Sequence, residues 1–289
     1  MEVRKIVRSS KGTPTSDGAG VRLKRAFGPE EGELLDPFLL LDHFGSDVPH
    51  DYMAGFPMHP HRGMETITYM LKGSVEHRDS TGRSGVINAG DIQWMTAGSG
   101  IMHQEMPKLS PNGVNGFQLW VNLPKAMKMM APRYRDVKRE TIPEVELENG
   151  AKVMVVAGEV NGTAGPVHDL VVPVEYLVVT LDPLGSLDRD IPSMNNAFAY
   201  VFEGSMRFEK GGPLLDQERL AVFGNGDGVT AMAGPSGARF LLVSGRPIKE
   251  PIAWGGPVVM NTEEELETAF REIRNGTFDK RAATERTGS

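Results

Sequence analysis

Two short histidine motifs constrain this chain more than any other feature of its sequence. His59-Pro60-His61 is followed later in the chain by His103-Gln104-Glu105. A β-strand directs residues i and i+2 to the same face, so each tripeptide on a strand would present two ligand-type side chains in one direction. Two such strands facing one another inside a barrel would bring three imidazoles and one carboxylate to a common point. This set suits divalent iron or a similar transition metal and leaves coordination positions open for chemistry.

The composition is that of an ordinary globular protein rich in turns. A length of 289 residues suggests about two domains. Hydrophobic residues make up 39% of the chain and charged residues 24%, which provides enough apolar material for a sizeable core. The 34 glycines and 20 prolines indicate many turns and favour an all-β architecture over one of long helices.

Charge and cysteine content exclude several classes of function. The net charge is −7 and no run of Lys and Arg alternates with aromatic residues, which argues against direct nucleic-acid binding through a basic face. The chain has no cysteine, which excludes disulfides, thiolate zinc sites and cysteine nucleophiles. The first residues carry no apolar signal region, and no stretch approaches ~18 consecutive apolar residues. We therefore expect a cytoplasmic monomer that contacts neither a membrane nor nucleic acid directly.

Short apolar runs punctuated by glycine fill the first half of the chain. Residues 66–71 predict a strand, Lys72-Gly73 a turn, and Ala89-Gly90-Asp91 another turn before the strand at residues 92–95. Strands at this close and regular spacing are typical of a sandwich or a barrel.

The second half of the chain repeats the pattern of the first. Residues 200–205, YVFEGS, resemble residues 69–74, YMLKGS, and Asn225-Gly226-Asp227 resembles Ala89-Gly90-Asp91. Self-similarity at about half the chain length indicates a duplicated domain. Extending the repeat places residues that cannot form a transition-metal site at the four ligand positions, namely Asp190, Pro192, Arg239 and Leu241. We therefore expect one metal site, in the first half.

A connector bracketed by prolines and a late helical pattern set the predicted domain limits. Residues 123–132 connect the two halves. We predict an N-terminal metal-binding domain over residues 1–130, a C-terminal domain without metal ligands over residues 131–278, and a frayed tail over residues 279–289. The C-terminal domain should end in a helix with Asn261 as its N-cap, carboxylates in its first turn and Gly276 at its end.

Longer motifs around the histidines resemble those of a known family. Residues 55–65, GFPMHPHRGME, and residues 90–107, GDIQWMTAGSGIMHQEMP, resemble the two motifs of the cupin superfamily. Together with residues 117–124, FQLWVNLP, they resemble the pirin family more closely. The resemblance extends from the N-terminus to about residue 278. It is specific in the first half and depends on the general pattern in the second.

The resemblance to pirins implies a fold and a metal. The fold would be all-β, with two cupin (jelly-roll) barrels in tandem and a C-terminal helix. The first barrel would hold one mononuclear iron at the positions of His59, His61, His103 and Glu105. Fe(II) is the expected ion, with Mn, Ni, Cu, Co and Zn as alternatives, because metal availability as well as affinity decides which ion is bound.

Glu65 competes with Glu105 for the fourth ligand position. The broader cupin pattern uses a glutamate four residues after the second histidine, as Glu65 is, whereas pirins use the position of Glu105. The i, i+2 geometry favours Glu105, because it must share a face with His103. Gly63 invites a break in the strand, which would remove Glu65 from the face of the first two histidines. Glu65 remains the alternative ligand, or an acceptor for the N–H of a ligand imidazole.

Quercetin 2,3-dioxygenase activity is what the resemblance implies about function. In that reaction Glu105, as ligand and general base, would take the proton of the flavonol 3-hydroxyl, and dioxygen would open the heterocycle with release of carbon monoxide. The partners would be a small aromatic, flavonol-like substrate and dioxygen. Strand alternation would place only part of the apolar candidate set on the wall of the substrate pocket. The candidates are Phe56, Met58, Trp94, Met95 and Phe117.

A binding module is the alternative to an enzyme. The resemblance to pirins also implies an iron-dependent, redox-sensing coregulator that binds a protein partner without turnover. The acidic net charge permits a protein partner, and the absence of a basic localisation run argues against a nuclear role. A metal cupin with another small substrate is the third hypothesis, because fold does not determine function. Oxygen uptake and carbon monoxide release with quercetin would discriminate between these hypotheses.

Overall fold

Antiparallel β-strands form most of the described chain, as the glycine-punctuated apolar runs predict. The structure is a computed structural model, and it describes residues 2–280. Within these residues the strands are β1 (Ile6–Lys11), β2 (Thr13–Asp17), β3 (Val21–Phe27), β4 (Phe38–Ser46), β5 (Phe56–His61), β6 (Met64–Lys72), β7 (Ser74–Asp79), β8 (Ser84–Asn88), β9 (Ile92–Thr96), β10 (Ile101–Pro107), β11 (Val114–Asn122), β12 (Arg133–Val137), β13 (Glu144–Leu147), β14 (Ala151–Ala157), β15 (Glu159–Val160), β16 (Thr163–Ala164), β17 (Val174–Leu181), β18 (Ser186–Asp190), β19 (Asn196–Arg207), β20 (Leu215–Asp216), β21 (Arg219–Phe223), β22 (Gly228–Gly245), β23 (Ala253–Gly255) and β24 (Val258–Met260).

Helical structure is sparse. The α-helices of the described residues are α1 (Gly32–Leu35) and α2 (Glu263–Asn275). Short 3-10 turns lie at Pro29–Glu31, Pro49–Asp51, Lys125–Met127, Arg139–Thr141 and Glu148–Gly150.

One compact unit contains most of the first half of the chain, and we call it the N-terminal unit. It comprises Pro14–Glu30, Phe38–Arg139 and the described chain from Ile248 onward. A seven-stranded sheet has the order β12-β9-β6-β11-β4-β3-β2, and a four-stranded sheet has the order β5-β10-β7-β8. From β4 to β11 the chain passes back and forth between these two sheets, which is the pattern of a jelly roll.

The second compact unit, which we call the C-terminal unit, is built on one large sheet. It comprises the described residues up to Thr13, Glu31–Pro37 and Glu140–Pro247. The sheet has the order β1-β21-β19-β22-β17-β14-β13, with β18 pairing to β22 and β20 pairing to β19. β22 pairs with β18 through its first residues and with β17 through its last, so one long strand serves two parts of the sheet. The inward-facing side chains form an apolar core that includes Phe208, Phe223 and Phe240.

The structure groups the chain differently from the predicted boundary between residues 130 and 131. β1 pairs with β21, so the N-terminal segment belongs to the C-terminal unit. Helix α2 packs on β23 and β24, and this whole segment belongs to the N-terminal unit. Each terminal segment pairs with a part of the chain that is distant in sequence, β1 with β21 and Val258 with Arg62, which local patterns do not reveal. Of the predicted tail, residues 281–289 lie outside the described residues.

Helix α2 has the end signals that the sequence predicts, displaced by one residue at its start. Thr262, rather than Asn261, is the N-cap, and its side chain accepts a hydrogen bond from the backbone N–H of Glu265. The Glu265 carboxylate in turn accepts from the backbone N–H of Thr262, which completes a capping box. Gly276 ends the helix with a φ of 67°. Within residues 2–280, no helix has the length and apolarity that crossing a membrane requires.

A buried lysine joins three segments of the N-terminal unit. Lys128 Nζ donates to Gly63 O at 2.8 Å, Asn122 Oδ1 at 2.6 Å and Val259 O at 3.0 Å. A Cβ at Gly63 would lie 1.9 Å from Val259 O, so this close approach requires glycine. Burial lowers the pKa of Lys128 to about 7, while the three acceptors match the three N–H groups of its ammonium form. Lys128 therefore holds the turn between β5 and β6 against β24.

We expect Lys128→Met to lower the free energy of unfolding of the N-terminal unit by about 3 kcal/mol, because each buried oxygen left without a donor costs about 1–3 kcal/mol. Lys125→Met is the matched control, because the Lys125 side chain is 62% exposed and such changes usually stay within about 0.5 kcal/mol. Urea denaturation followed by tryptophan fluorescence measures both variants, since the three tryptophans, Trp94, Trp120 and Trp254, all lie in this unit. Equal stabilities of the two variants would contradict the prediction.

Candidate metal centre

The two histidine motifs lie on neighbouring strands of the four-stranded sheet. β5 pairs with β10 in antiparallel fashion, with His103 opposite His59 and Ile101 opposite His61. The strands are therefore hydrogen-bonded neighbours, which corrects the expectation that they face one another across a barrel. In β10 the residues at positions 101, 103, 105 and 107 are buried and the intervening ones are half-buried, as the predicted alternation requires. Direct pairing brings opposite side chains within contact distance.

Three imidazoles converge at this pairing. The ring nitrogens that His59, His61 and His103 offer lie within 4.8 Å of one another. The Nε2 atoms of His59 and His61 are 3.0 Å apart, and the ring of His103 is centred 4.4 Å from that of His59. His61 and His103 are buried, while His59 is half-buried. Among the side chains that the structure describes, no other three His, Asp or Glu residues come as close together as this imidazole cluster.

Burial keeps the three imidazoles neutral. It lowers the pKa of His59, and it lowers the pKa of His61 and His103 well below the usual range, with repulsion from the neighbouring imidazoles adding to the effect. His59 Nδ1 lies 2.9 Å from Pro57 O, and an N–H donated there leaves the lone pair of Nε2 facing the cluster. Neutral imidazole is the form that binds a metal ion.

The donor set of the cluster fits a transition-metal ion. Two neutral imidazole nitrogens only 3.0 Å apart have room for one shared proton or one shared cation between them. Metal–nitrogen bonds of about 2.0–2.1 Å place neighbouring ligand nitrogens roughly 3 Å apart. Neither ring nitrogen of His103 has a hydrogen-bond partner among the described contacts, and buried polar atoms are rarely left unpaired. Imidazole suits iron, nickel, copper and zinc, so these ligands do not select one of them.

Glu105 lies beside the imidazole cluster but is not one of its members. Its carboxylate is buried and lines the same cavity as His59 and His61. It is not among the side chains whose ligand atoms lie within 4.8 Å of one another. The strand register shifts between His103 and Glu105, so that Glu105 pairs with Phe56. The role of Glu105 as fourth ligand therefore stays a prediction.

Thr68 links Glu105 to a second polar side chain, Gln118. Thr68 Oγ1 lies 3.2 Å from Glu105 Oε1 and 2.5 Å from Gln118 Oε1. A hydroxyl donates one hydrogen, so a protonated Glu105 that donates to Thr68 makes both contacts hydrogen bonds. Burial raises the pKa of Glu105 to about 7, against a smaller lowering by the Thr68 hydroxyl. This carboxyl can therefore gain or lose a proton near neutral pH.

Glu65 is directed away from the imidazole cluster. The break predicted at Gly63 is present, because that residue takes a φ of 78° between β5 and β6. Beyond the break, the Glu65 carboxylate accepts hydrogen bonds from Trp94 Nε1 at 3.0 Å and from the Thr96 hydroxyl at 2.6 Å. In the described contacts Glu65 neither joins the cluster nor accepts from its imidazoles. Both roles considered for Glu65 stay predictions, which these contacts do not support.

A cavity of about 620 Å³ opens onto the imidazole cluster. This volume is in the range of sites for small organic ligands. The wall is largely apolar and aromatic: the ring of Trp120 meets His61 edge-on at 5.3 Å, and Trp254 lies 6.1 Å from Trp120. A polar patch interrupts this wall, formed by Asp17, Arg25 and Asp42.

Most of the apolar residues predicted for the cavity wall lie elsewhere. Phe56 lines the cavity as predicted. Met58 is 46% exposed, and Met95 belongs to a separate apolar cluster. Trp94 is bonded to Glu65, and Phe117 packs against the ring of His43. These four residues are not among those that line the cavity.

Strand parity explains why two residues of the cavity wall were not predicted from the sequence. Gln118 and Trp120 on β11 line the cavity. Phe117 has the opposite parity on the same strand, so its side chain lies on the other face. The polar residues Thr68 and Gln118 pair with one another on neighbouring strands, and their shared parity marks the cavity face. Polar residues in otherwise apolar strands therefore indicate which face of the sheet lines the cavity. Trp254 comes from the C-terminal segment, and no local pattern indicates its place.

We expect the protein to bind one equivalent of divalent metal per chain, through the imidazole cluster. His103→Ala should abolish tight binding with little loss of fold, because the barrel core is apolar and the site opens onto a cavity. His168→Ala is the matched control, since the His168 side chain is 79% exposed. Anaerobic loading and metal analysis measure the stoichiometry, and circular dichroism reports the fold. A second equivalent that survives His103→Ala would contradict this prediction.

Glu105 should make the metal-free protein lose stability as the pH rises from 4.5 to about 7. In this window Glu105, with a folded-state pKa of about 7 against 4.5 when unperturbed, keeps a proton that the unfolded chain has released. This contribution to the free energy of unfolding falls with pH, by at most about 1.4 kcal/mol per pH unit, while the imidazoles, whose pKa burial lowers, contribute a rise. Glu105→Gln cannot ionise, so the stability of this variant should rise more steeply with pH than that of the wild type. Urea unfolding of chelator-treated protein at several pH values measures the difference, and identical slopes would refute the assignment.

Comparison with known proteins points to one family for both halves of the chain. Residues 20–121 match the model of the family Pirin, and residues 176–279 match that of the Pirin C-terminal cupin domain. A pirin-like protein from Caulobacter vibrioides is 46% identical over 280 residues, which cover 96% of this chain and 100% of that protein. The crystal structure of a quercetin 2,3-dioxygenase from Acinetobacter baumannii is 30% identical, with a TM-score of 0.87, and covers 96% of this chain and 99% of that one.

A more distant structure shows the same fold. A bacterial pirin from Escherichia coli, solved in complex with nickel(II), is 21% identical, with a TM-score of 0.64, and covers 83% of this chain and 99% of that one. These similarities confirm the predicted all-β fold with two cupin domains in tandem and a C-terminal helix. Because both halves match pirin models and the relative from Caulobacter vibrioides is matched over its whole length, the chain belongs to the pirin family.

Proposed function

We propose that this protein is a metal-dependent dioxygenase of the quercetin 2,3-dioxygenase type, which opens the heterocycle of a flavonol. The observation that carries the proposal is that a cluster of three imidazoles meets an aromatic cavity, which His59, His61 and the protonatable Glu105 line. Similarity to the Acinetobacter baumannii quercetin 2,3-dioxygenase over nearly the whole chain supports it.

Three histidines and a glutamate would hold the metal. His59, His61 and His103 supply neutral nitrogens, and Glu105 is the proposed fourth ligand. Fe(II) is the proposed ion, and when bound it supplies the redox chemistry with dioxygen that side chains lack. Burial suppresses protonation of the imidazoles, so they stay competent as ligands below the pH at which a free histidine becomes charged.

Glu105 would remove the proton of the flavonol 3-hydroxyl. A general base works best when its pKa lies near the working pH, and burial brings the pKa of Glu105 to about 7. The Thr68 hydroxyl can donate to the carboxylate and accept from the carboxylic acid. Thr68 would therefore keep Glu105 in one orientation before and after proton transfer.

The aromatic wall would orient a planar substrate and limit the access of water. Phe56, Trp120 and Trp254 offer flat apolar surfaces within the cavity. Trp120 also contacts His61 edge-on, so a substrate stacked on Trp120 would lie beside the imidazole cluster. A cavity poor in water strengthens the interactions of the developing flavonolate with polar groups of the wall.

We expect Glu105→Gln to reduce flavonol turnover by about 10²–10⁴-fold at matched iron content, because an amide still offers an oxygen to the metal but cannot accept the substrate proton. Glu65→Gln is the matched control, since Glu65 is also buried in the N-terminal unit but is bonded to Trp94 and Thr96. It should keep turnover near that of the wild type. Oxygen uptake and carbon monoxide release with quercetin measure both variants, and the reverse order of activities would assign the base to Glu65.

The activity itself is tested by anaerobic loading with ferrous iron, followed by quercetin and dioxygen. Each quercetin consumed should take up one dioxygen and release one carbon monoxide. If the protein, fully loaded with ferrous iron, consumes no dioxygen with any flavonol, the proposed dioxygenase activity is refuted. A redox-sensing module that binds a protein partner would then be the better account of the same site.

A further inference from the structure

A row of polar side chains crosses the cavity face of the seven-stranded sheet. In this row Asp42 on β4 pairs with Gln118 on β11, and Gln118 pairs with Thr68 on β6. On the other side Asp42 pairs with Arg25 on β3. The paired residues line the cavity, so the row leads from the Thr68 contact with Glu105 to the polar patch in the wall.

The polar patch is a preorganised cluster of one guanidinium and two carboxylates. Arg25 Nε donates to Asp42 Oδ1 at 2.9 Å, and one of its terminal nitrogens donates to Asp42 Oδ2 at 2.8 Å. The same terminal nitrogen donates to Asp17 Oδ2 at 3.0 Å. Asp42 is 5% exposed, so this bidentate pair is fixed in the wall. None of these three side chains has a part in the proposed mechanism.

The charge of the patch selects the kind of group that can bind there. Two carboxylates around one guanidinium leave a net negative charge and an excess of hydrogen-bond acceptors. Each Asp42 oxygen accepts one hydrogen bond from Arg25 and retains a second lone pair. A neutral hydroxyl can donate to such an oxygen in a charge-assisted hydrogen bond, whereas a carboxylate ligand would be repelled.

The distance across the sheet from Thr68 to Asp42 matches the length of a flavonol, which is two fused rings that carry a third ring. Neighbouring strands lie about 4.8 Å apart, so the two strand spacings between Asp42 and Thr68 amount to roughly 10 Å. Thr68 contacts Glu105 beside the imidazole cluster. A molecule with its reacting hydroxyl at Glu105 would therefore carry its distal ring to the patch, past the aromatic surfaces of the wall.

We propose that Asp17, Arg25 and Asp42 form a hydroxyl-binding subsite that selects aromatic substrates with hydroxyl groups on the ring farthest from the metal. This inference rests on the proposed function, because it assumes that the opposite end of the substrate reacts at Glu105. Arg25 acts as the positioning residue that holds both carboxylates. Asp42 and Asp17 are the groups that accept the hydroxyl hydrogens.

Anaerobic calorimetric titration of the iron-loaded protein tests the subsite without turnover. The probes are flavonols that differ only in the distal ring: galangin with no hydroxyl there, kaempferol with one, quercetin with two, and 3,5,7-trihydroxyflavone-4′-carboxylic acid. Wild-type protein should bind quercetin about tenfold tighter than galangin, since one net hydrogen bond to a charged group corresponds to about a tenfold change in affinity or more. The carboxylic acid should bind most weakly.

Two variants separate the subsite from a general loss of fold. Asp42→Asn removes the buried charge of the patch. Asp17→Asn removes the exposed charge, and the fold should tolerate this change because the Asp17 side chain is 52% exposed. Both should reduce the ratio of quercetin to galangin affinity several-fold and should strengthen binding of the carboxylic acid. A damaged fold would instead weaken every probe. Asp216→Asn is the matched control, because Asp216 is an Arg-paired aspartate, 57% exposed, in the C-terminal unit.

The outcomes distinguish failure of the subsite from failure of the enzyme. Equal affinities of the wild type for galangin and quercetin, or an unchanged ratio in both cavity variants, would overturn the subsite while leaving the dioxygenase in place. The same change of ratio in Asp216→Asn would also overturn it. Wild-type protein that binds none of the flavonols would overturn both the subsite and the proposed function.

Discussion

The antiparallel pairing of β5 with β10 is the constraint on which the candidate site depends. It sets His103 opposite His59 and leaves His61 on the same side two residues away. Because side chains alternate along a strand, a slip of one residue in this register would turn all the ligand side chains of one strand to the opposite face. The register shift that follows His103 then sets Glu105 apart from the imidazoles, where it meets Thr68 instead.

The cost of burying polar groups shapes the chemistry of this site. Burial penalises the charged form of each group, so it lowers the pKa of the three imidazoles and raises that of the Glu105 carboxyl. Both ring nitrogens of His103 lack hydrogen-bond partners among the described contacts, and a bound ion would offset that deficit. The unpaired nitrogens that burial makes costly are therefore also the ones available to a metal. Buried charge in the polar patch is tolerated differently, through the bidentate pairing of Arg25 with Asp42.

The parts of the structure that were predictable from sequence depend on short-range rules. Strand alternation and spacing indicated the three histidines, and the glycine at position 63 indicated a break in the strand, because both are local properties of the backbone. The assignment of the N-terminal segment to the C-terminal unit, and of the C-terminal segment to the N-terminal unit, was not predictable in this way. The pairing of β1 with β21 and the bridge between Val258 and Arg62 join segments that are far apart in the chain, and the sequence of neither segment indicates its partner. The same limit applies to Trp254, which reaches the cavity from the C-terminal segment.

The two buried glutamates of the N-terminal unit show why a motif alone does not assign a role. Glu65 and Glu105 are both nearly inaccessible to solvent, and both stand within motifs that a family pattern would accept as ligands. The turn at Gly63 carries Glu65 to Trp94 and Thr96, whose N–H and O–H groups occupy its two oxygens. Glu105 receives one hydroxyl contact and opens onto the cavity, so its other lone pairs are available to a metal or a substrate proton. The difference in donors, rather than the position in the motif, therefore distinguishes Glu105, which has one hydroxyl contact, from Glu65, whose two oxygens are both hydrogen-bonded.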